Sequence, residues 1–162
     1  MKTFKKNDFK ICVVGMGYVG LPLAARLVFK NFNVIGFDIN EERLKELQKN
    51  NDINNDISSE LLEVFTKDSL LTSDVQDIKE CNIFIITLPT PINSDKTPDL
   101  SPIIDASNLI GSILKEGSIV IYESTVYPGV TDEICTPVLE KRSQLTHNIN
   151  FSTGYSPERI VP

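Results

Sequence analysis

Residues 15–20 have the types and the spacing needed to bind the phosphates of a dinucleotide. They have the sequence Gly-Met-Gly-Tyr-Val-Gly, in which Gly15 allows a tight turn, Gly17 lets the backbone approach a pyrophosphate and Gly20 lets a helix pack closely on a strand. The free N–H groups and positive dipole end of that helix favour an anion. A purely structural glycine turn is the alternative. An apolar strand pattern before the motif and a helical pattern after it favour phosphate binding.

The acid that ends the next apolar run predicts which dinucleotide is bound. Asp38 closes the run 33–38, near the distance of about 20 residues at which an acid binds the adenosine ribose hydroxyls. A carboxylate there repels a 2′-phosphate, so we expect NAD rather than NADP. Arg43 lies one helical turn beyond Asn40, the expected cap of the next helix. Spacing alone favours a solvated helix arginine over a contact with the adenosine side of the cofactor.

Hydroxyl groups follow two later apolar runs. Thr90 comes after the run 83–87, and Ser124 and Thr125 come after the run 119–122. Ligands bind outside the carboxyl ends of strands in open α/β sheets, so these hydroxyls are candidate cofactor or substrate contacts. Turn formation and helix capping are an equal alternative on position alone.

A last polar loop places a carboxylate beside a guanidinium. Glu158 and Arg159 follow a predicted final strand at 150–153. Glu158 is a candidate base and Arg159 a candidate ligand for a phosphate or carboxylate, with a surface ion pair as the alternative. His147, the single histidine, lies in a polar stretch and is interpreted as a surface residue.

Apolar runs alternate with helical patterns along the whole chain. Strands are predicted at 9–14, 33–38, 70–72, 83–87, 119–122 and 150–153. Helices are predicted at 18–30, 40–50, 60–65, 73–80, 101–115 and 129–142. Continuously apolar strands suit a sheet that is covered on both faces. The alternation therefore predicts one α/β domain over residues 1–162, a Rossmann-type doubly wound and mostly parallel sheet with helices on both faces.

Composition excludes several classes of protein. The chain has 162 residues, of which 41% are hydrophobic and 23% charged, and a net charge of −6. This balance argues against a nucleic-acid or acidic-membrane partner, since both favour a basic surface. No apolar run approaches the roughly 20 residues needed to span a bilayer, so we expect a cytoplasmic protein. The three cysteines have no metal-ligand spacing, so no metal is expected and they are interpreted as buried thiols.

Taken in order, four motifs resemble one family. They are residues 15–24, 88–91 with 98–101, 123–129 and 155–159. Together they resemble the UDP-glucose/GDP-mannose dehydrogenases over nearly the whole chain. The Pro-Thr-Pro, Tyr-Pro-Gly and Ser-Pro-Glu-Arg variants are similar to the branch acting on UDP-N-acetylglucosamine or UDP-N-acetylgalactosamine, the type found in Vi-antigen synthesis.

This resemblance implies a two-step oxidation of a sugar C6 alcohol to a carboxylate, with two NAD reduced, for surface polysaccharide synthesis. It implies cofactor contacts at Tyr18, Val19, Asp38, Arg43, Thr90 and Thr125. Thr125 would also help to position water. Glu158 would assist hydrolysis of a covalent intermediate, and Arg159 and Ile160 would contact the UDP-sugar substrate.

The family's nucleophilic cysteine and oxyanion-stabilising lysine lie downstream of the motifs found here. The resemblance therefore implies that residues 1–162 are a fragment without the central helix and the C-terminal UDP-sugar domain. We expect such a fragment to be inactive alone and the full-length enzyme to be a homodimer. The alternatives are a stand-alone NAD-sensing Rossmann module, a UDP-glucose 6-dehydrogenase, and a 3-hydroxyacid or 6-phosphogluconate dehydrogenase with a similar N-terminal half.

Overall fold

Six parallel strands form the centre of the computed structural model, which describes residues 8–157. The strands are β1 (Lys10–Val14), β2 (Asn33–Phe37), β3 (Leu70–Thr72), β4 (Ile83–Ile86), β5 (Ile119–Glu123) and β6 (Ser152–Ser156). Their order in the sheet is β3-β2-β1-β4-β5-β6, and each neighbouring pair is parallel. This confirms the predicted doubly wound sheet. The strand order reverses between β1 and β4, the place where such sheets open a ligand crevice.

Helices cover both faces of the sheet, as predicted. They are α1 (Gly20–Phe29), α2 (Glu41–Gln48), α3 (Ser59–Asp68), α4 (Val75–Ile78), α5 (Ser101–Gly111) and α6 (Thr136–Ser143). Alternate residues of β1 point to opposite faces. Ile11 and Val13 join the core that includes Leu21 of α1 and Phe65 of α3. On the other face, Cys12 and Val14 join the core that includes residues of α5 and α6.

The strand register aligns the carboxyl ends of the central strands. Val14 of β1 pairs with Phe37 of β2 and with Ile86 of β4. Ile86 in turn pairs with Tyr122 of β5. The loops that follow these strands therefore leave the sheet along one edge, which brings the glycine turn, Asp38 and the hydroxyl-bearing loops together.

Two predicted elements differ in the structure for local reasons. The helix predicted at 101–115 is α5, which ends at Gly111 rather than near Lys115. Ser101 is its first residue, Leu100 is its N-cap, and the Asp99 carboxylate accepts the Ser101 N–H over 2.9 Å. The single helix predicted at 129–142 is a π-helix, Val130–Cys135, followed by α6. Pro137 lacks an N–H group, which interrupts the regular α-helical ladder at this junction.

The last strand is two residues later than predicted. Strand β6 is Ser152–Ser156 rather than 150–153, and Glu123 at the end of β5 pairs with Ser156. Tyr155 therefore lies within the strand and not in the loop after it. Its hydroxyl donates to the Val126 carbonyl over 3.3 Å, which ties β6 to the loop that follows β5.

Candidate functional site

The glycine turn joins β1 to α1 and is held by close backbone contacts. Gly15 has a φ of +101°, a left-handed conformation that glycine adopts without strain. Its N–H donates to the Phe37 carbonyl over 2.8 Å. A Cβ atom on Gly20 would overlap both the Gly15 carbonyl oxygen and Thr87 Oγ1. Glycine at position 20 is therefore what lets α1 begin this close to the turn.

The same turn is open at Gly17. A Cβ atom built on Gly17 meets no atom within 4 Å, and Gly17 and Tyr18 are both exposed. No side chain caps the first N–H groups of α1, and its first turn contains no acidic residue. By contrast, α2 is capped by Asn40 and has two glutamates in its first turn. The positive end of α1 thus lies beside an open turn with no neutralising side chain of its own, an arrangement that suits a pyrophosphate.

Asp38 lies directly after β2, as predicted, and organises the two segments beside it. Its Oδ2 atom accepts the Met16 N–H over 2.7 Å, and its Oδ1 atom accepts the Asn40 N–H over 2.8 Å. The carboxylate is half-buried. It therefore connects the glycine turn to the start of α2 at the edge where a ribose would lie. Its contact with the ribose itself stays a prediction.

Arg43 is not the solvated helix arginine that its spacing favoured. Its side chain is 10% exposed, and its Nη2 atom lies 2.8 Å from Asp52 Oδ1 and 3.1 Å from Asp56 Oδ2. Its Nε atom donates to the Met16 carbonyl over 3.0 Å. Tertiary contacts override the solvent exposure expected for this helix position, because the turn after α2 folds back onto the guanidinium. A contact of Arg43 with NAD stays a prediction.

An apolar cleft of about 290 Å³ lies between the end of β2 and α5. Its lining includes Phe37, Ile39, Leu88, Pro102 and Leu109. Gly15 and Asp38 also line this cleft, so it is continuous with the glycine turn and with the acid predicted to bind the ribose. A flat apolar base such as adenine suits a cleft of this lining and position.

A second, small cleft lies on the opposite side of the turn. It is lined by Tyr18, Val19, Thr87, Leu88, Pro89, Glu123, Ser124 and Thr125. The structure thus brings together the start of α1 and the loops after β4 and β5, as the strand-end rule predicts. Thr125 is exposed and Val19 is buried. Thr90 is half-buried and follows Pro89, outside the set of residues that line this cleft.

Ser124 supplies an unpaired hydroxyl to this second cleft. The residue is 2% exposed, and its Oγ atom has no hydrogen-bond partner within residues 8–157. Burying a hydroxyl without a partner costs about 1–3 kcal/mol. The cleft beside it has a volume of about 10 Å³, which is room for one water or one small ligand group that supplies the missing hydrogen bond.

Thr87 is a contributor that the sequence patterns did not indicate. Its buried hydroxyl donates to the carbonyls of Val14 and Gly15, over 2.9 and 3.0 Å. It therefore fastens the end of β4 to the glycine turn. The pattern of a single sequence does not show which strands are neighbours in the sheet. The available signal was a hydroxyl at the carboxyl end of a buried strand, where ligands bind in such sheets.

The predicted residues Glu158, Arg159 and Ile160 lie outside the described residues. The strand that leads to them, β6, ends at Ser156 beside Glu123. This places the last described residues at the same sheet edge as the second cleft. The predicted roles of the three residues stay predictions.

The cysteines of the chain are poorly suited to nucleophilic work. Cys12, Cys81 and Cys135 are free and buried. Burial is the main reason that the pKa of each thiol is raised, to about 11 for Cys81, so the reactive thiolate is scarce at neutral pH. Within residues 8–157 no group of three or more histidine, cysteine or acidic side chains is placed to hold a metal ion.

A family model now identifies the fold and the site. The model of the UDP-glucose/GDP-mannose dehydrogenase family, NAD binding domain, matches residues 9–162. The chain belongs to this family. The matched region is the family's NAD-binding domain, and NAD is therefore the cofactor of this domain.

Individual relatives agree with this assignment. The chain is 49% identical over 159 residues to the UDP-N-acetyl-D-glucosamine 6-dehydrogenase of Salmonella typhi, covering 98% of this chain and 37% of that protein. It is 52% identical over 156 residues to the enzyme of the same name from Pseudomonas aeruginosa, covering 96% of this chain and 36% of that protein. The structure of a UDP-D-ManNAc dehydrogenase from Pyrococcus horikoshii matches with a TM-score of 0.86 at 34% identity, covering 95% of this chain and 37% of that one.

The chain thus spans little more than a third of the length of these relatives. Three features of the described residues fit a bound dinucleotide, namely the open turn at Gly17, the uncapped start of α1 and the unpaired hydroxyl of Ser124. Across residues 8–157, no helix is long and apolar enough to cross a membrane.

Proposed function

We propose that this chain is the NAD-binding part of a longer nucleotide-sugar 6-dehydrogenase that oxidises a UDP-N-acetylhexosamine to the corresponding uronic acid. Two NAD are reduced for each sugar, because the C6 alcohol passes through an aldehyde to a carboxylate. The relatives at 49% and 52% identity, both named UDP-N-acetyl-D-glucosamine 6-dehydrogenases, support this substrate class. The observation that carries the cofactor half of the proposal is the open glycine turn beside an uncapped helix.

The adenosine half of NAD is held on the β2 side of the turn. Gly17 and the first N–H groups of α1 bind the pyrophosphate, with Gly15 and Gly20 giving the turn its shape. Asp38 accepts hydrogen bonds from the ribose hydroxyls, and the cleft beside Ile39 holds the adenine. Arg43 lies beside Met16 and closes the same region.

The reactive half of NAD is held on the β4 and β5 side. NAD supplies the hydride acceptor, and this chain's residues orient it and exclude water. Ser124 Oγ supplies a hydrogen bond to the cofactor, and Tyr18, Val19 and Thr90 contact the same half. Thr125 contacts the cofactor and orients the water that ends the reaction.

The residues after β6 act on the sugar. Glu158 assists the attack of water that releases the uronic acid, and Arg159 and Ile160 contact the UDP-sugar. The three cysteines described here are buried, so the nucleophile of the reaction comes from elsewhere in the longer enzyme. Homodimerisation of that enzyme stays a prediction of the family resemblance, and its cytoplasmic location stays a prediction from the pattern of apolar residues.

Calorimetric titration of the 162-residue chain tests the cofactor part of the proposal. We expect NAD to bind more tightly than NADP, and we expect Asp38→Asn to weaken NAD binding about tenfold, because a charged hydrogen bond to the ribose is lost. Asp68→Asn, at the exposed end of α3, is the matched control for the change in net charge. Tighter binding of NADP by the unmodified chain would contradict the proposal.

Measurement of NADH formation tests the reaction. We expect no steady NADH from the 162-residue chain with UDP-GlcNAc or UDP-GalNAc, and two NADH per sugar from the full-length gene product. Preference of the full-length protein for UDP-glucose would overturn the proposed substrate class.

A further inference from the structure

A buried charge cluster beside the proposed ribose-binding acid contains two aspartates that the proposed function does not use. Its members are Arg43, in the first turn of α2, and Asp52 and Asp56, in the turn that follows α2. Their side chains are 10%, 4% and 11% exposed. A cluster this well shielded is screened much less by salt than a surface ion pair.

Both carboxylates are fixed in place by their own turn. Asp52 Oδ2 accepts the N–H groups of Asp56 and Ile57 over 2.6 and 3.2 Å. Its other oxygen, Oδ1, lies 2.8 Å from Arg43 Nη2. Asp56 Oδ2 lies 3.1 Å from the same nitrogen and accepts a hydrogen bond from Asn54 Nδ2 over 3.3 Å. One guanidinium nitrogen is therefore shared by two positioned carboxylates.

The guanidinium is also tied to the glycine turn. Arg43 Nε donates to the Met16 carbonyl over 3.0 Å, while the Met16 N–H donates to Asp38 over 2.7 Å. Met16 thus links the two side chains, because its carbonyl bonds Arg43 and its N–H bonds Asp38, the carboxylate that would bind the ribose hydroxyls. An arginine in this neighbourhood is the group that accommodates the 2′-phosphate in Rossmann domains that use NADP.

The charges around this point oppose a 2′-phosphate. The cleft beside Gly17 is lined by Asp38, Glu42 and Glu46, and Arg43 is the one cation in its lining. A phosphate group adds roughly two negative charges at neutral pH. Arg43 is the residue that could compensate them, yet its charge is already matched by the two aspartates.

We propose that Asp52 and Asp56 are positioning residues for cofactor choice: by holding the Arg43 guanidinium against the Met16 carbonyl and neutralising it, they withhold it from the 2′-phosphate of NADP. Selection of NAD then depends on these two aspartates as well as on Asp38. This inference rests on the proposed site for the adenosine half of NAD.

The test is a comparison of dissociation constants for NAD and NADP. The unmodified chain and the Asp52→Asn/Asp56→Asn variant are titrated calorimetrically with each nucleotide at one ionic strength. Asparagine keeps the size of the side chain and removes its charge. We expect the ratio of the NADP constant to the NAD constant to fall at least about tenfold, because a charge-assisted bond to the phosphate becomes available. Asp68→Asn, a charge removed at an exposed position, leaves the ratio unchanged.

Removing the arginine shows whether the effect passes through it. In the unmodified chain, Arg43→Met changes both constants together and leaves their ratio within about twofold. In the double-asparagine background, Arg43→Met abolishes the gain in NADP binding. If the aspartates had a purely structural role, replacing them would weaken the binding of NAD and NADP alike, and the ratio of the two dissociation constants would not change.

Each outcome decides the matter. An unchanged ratio in the double-asparagine variant, or a gain in NADP binding that survives Arg43→Met, overturns the inference. If the double variant does not fold, as judged by its thermal unfolding, Asp56→Asn alone replaces it, with an expected fall in the ratio of about threefold, and no fall overturns the inference. An unmodified chain that binds neither nucleotide refutes the proposed function itself, which separates the two failures.

Discussion

The two sides of the NAD cleft differ in what lies beside their unsatisfied polar atoms. On the adenosine side, Asp52 Oδ1 makes no hydrogen bond but is ion-paired with Arg43 Nη2 at 2.8 Å. On the same side, Asp38, Asn40 and Arg43 all bond the backbone of the turn or of α2. On the β4–β5 side, the buried Ser124 Oγ has no partner in the described part of the chain. The first side is held by the chain's own contacts, whereas the second has a buried hydroxyl whose hydrogen bond we propose the cofactor to complete. Three predictions test this difference and one tests a region away from the cleft, in order of decreasing effect.

The largest effect is expected from Gly20→Ala on the adenosine side. The added methyl group overlaps the Gly15 carbonyl oxygen and Thr87 Oγ1, and because these atoms belong to a packed turn, the free energy of unfolding falls by about 3 kcal/mol or more. NAD binding is lost with the turn. Urea unfolding and calorimetry measure the two effects. A variant with unchanged stability would show that the turn is not preorganised.

Gly17→Ala separates binding from folding at the same turn. A methyl group there meets no protein atom within 4 Å, so we expect the free energy of unfolding to change by less than about 1 kcal/mol. NAD binding weakens about a hundredfold, because the backbone no longer approaches the pyrophosphate closely. Both variants are titrated with NAD. Gly20→Ala is expected to lose stability and binding together, whereas Gly17→Ala is expected to lose binding alone, so each is the control for the other. Normal NAD binding by Gly17→Ala would refute the position assigned to the pyrophosphate.

The amino-terminal edge of the sheet, away from both sides of the cleft, should respond to alkaline pH. Burial raises the pKa of Cys81 from 9.0 to about 11, with Lys10 lowering it and Glu80 raising it. Folding therefore favours the protonated thiol, and this stabilisation is complete below pH 9 and is lost as the pH rises through 11. The loss amounts to about 2 kcal/mol.

Urea unfolding between pH 8 and 11 measures this loss, and Cys81→Ala is the control that should reduce the decline by about 2 kcal/mol. The decline that remains is expected from Cys12 and Cys135, because burial also raises the pKa of these two thiols. A decline of equal size in Cys81→Ala would assign the effect to other groups. NAD affinity at pH 8 should be the same in both proteins, because Cys81 lies before β4 and the cleft lies after it.

The smallest and most diagnostic effect is expected at Ser124. Replacing it with alanine removes an unbonded buried hydroxyl, so the free energy of unfolding rises by about 1 kcal/mol while NAD binding weakens. Ser107→Ala is the matched control, because the Ser107 hydroxyl bonds the Ile103 carbonyl at 2.7 Å and the Tyr122 hydroxyl at 2.8 Å. That variant should lose about 1–2 kcal/mol. Destabilisation by Ser124→Ala would show that its hydroxyl is already satisfied in the folded chain.

Most of the fold followed from local patterns. The β1–turn–α1 unit, the Asn40 cap of α2 and the buried run of β4 all depend on residues close together in the chain. Strand β6 was predicted two residues early, because its polar residues lack the apolar pattern of the central strands. The π-helix was missed because the sequence of this region predicts one continuous helix. In the structure Gly129 precedes the π-helix, and Pro137 lies in the first turn of the α-helix that follows it.

The sequence predicted which residues lie at the candidate site, but it did not predict which other residues they contact. Asp38 and Ser124 lie where the strand-end rule places them. Spacing alone favoured Arg43 in solvent, and it is instead buried between Asp52 and Asp56. The cofactor contact that the family resemblance implied for Arg43 stays a prediction. Thr87 was taken as the end of a strand, and its bonds to Val14 and Gly15 depend on the pairing of β1 with β4.

The sequence by itself determined the cofactor class, because three glycines, one acid and the elements around them obey rules of local geometry and charge. The tertiary structure alone decided which distant groups meet. Strand order placed Thr87 against the glycine turn, and the fold of the turn after α2 placed two carboxylates on Arg43. Such contacts join segments far apart in the chain, so their energies depend on the register and packing of the whole sheet rather than on any short pattern of residues.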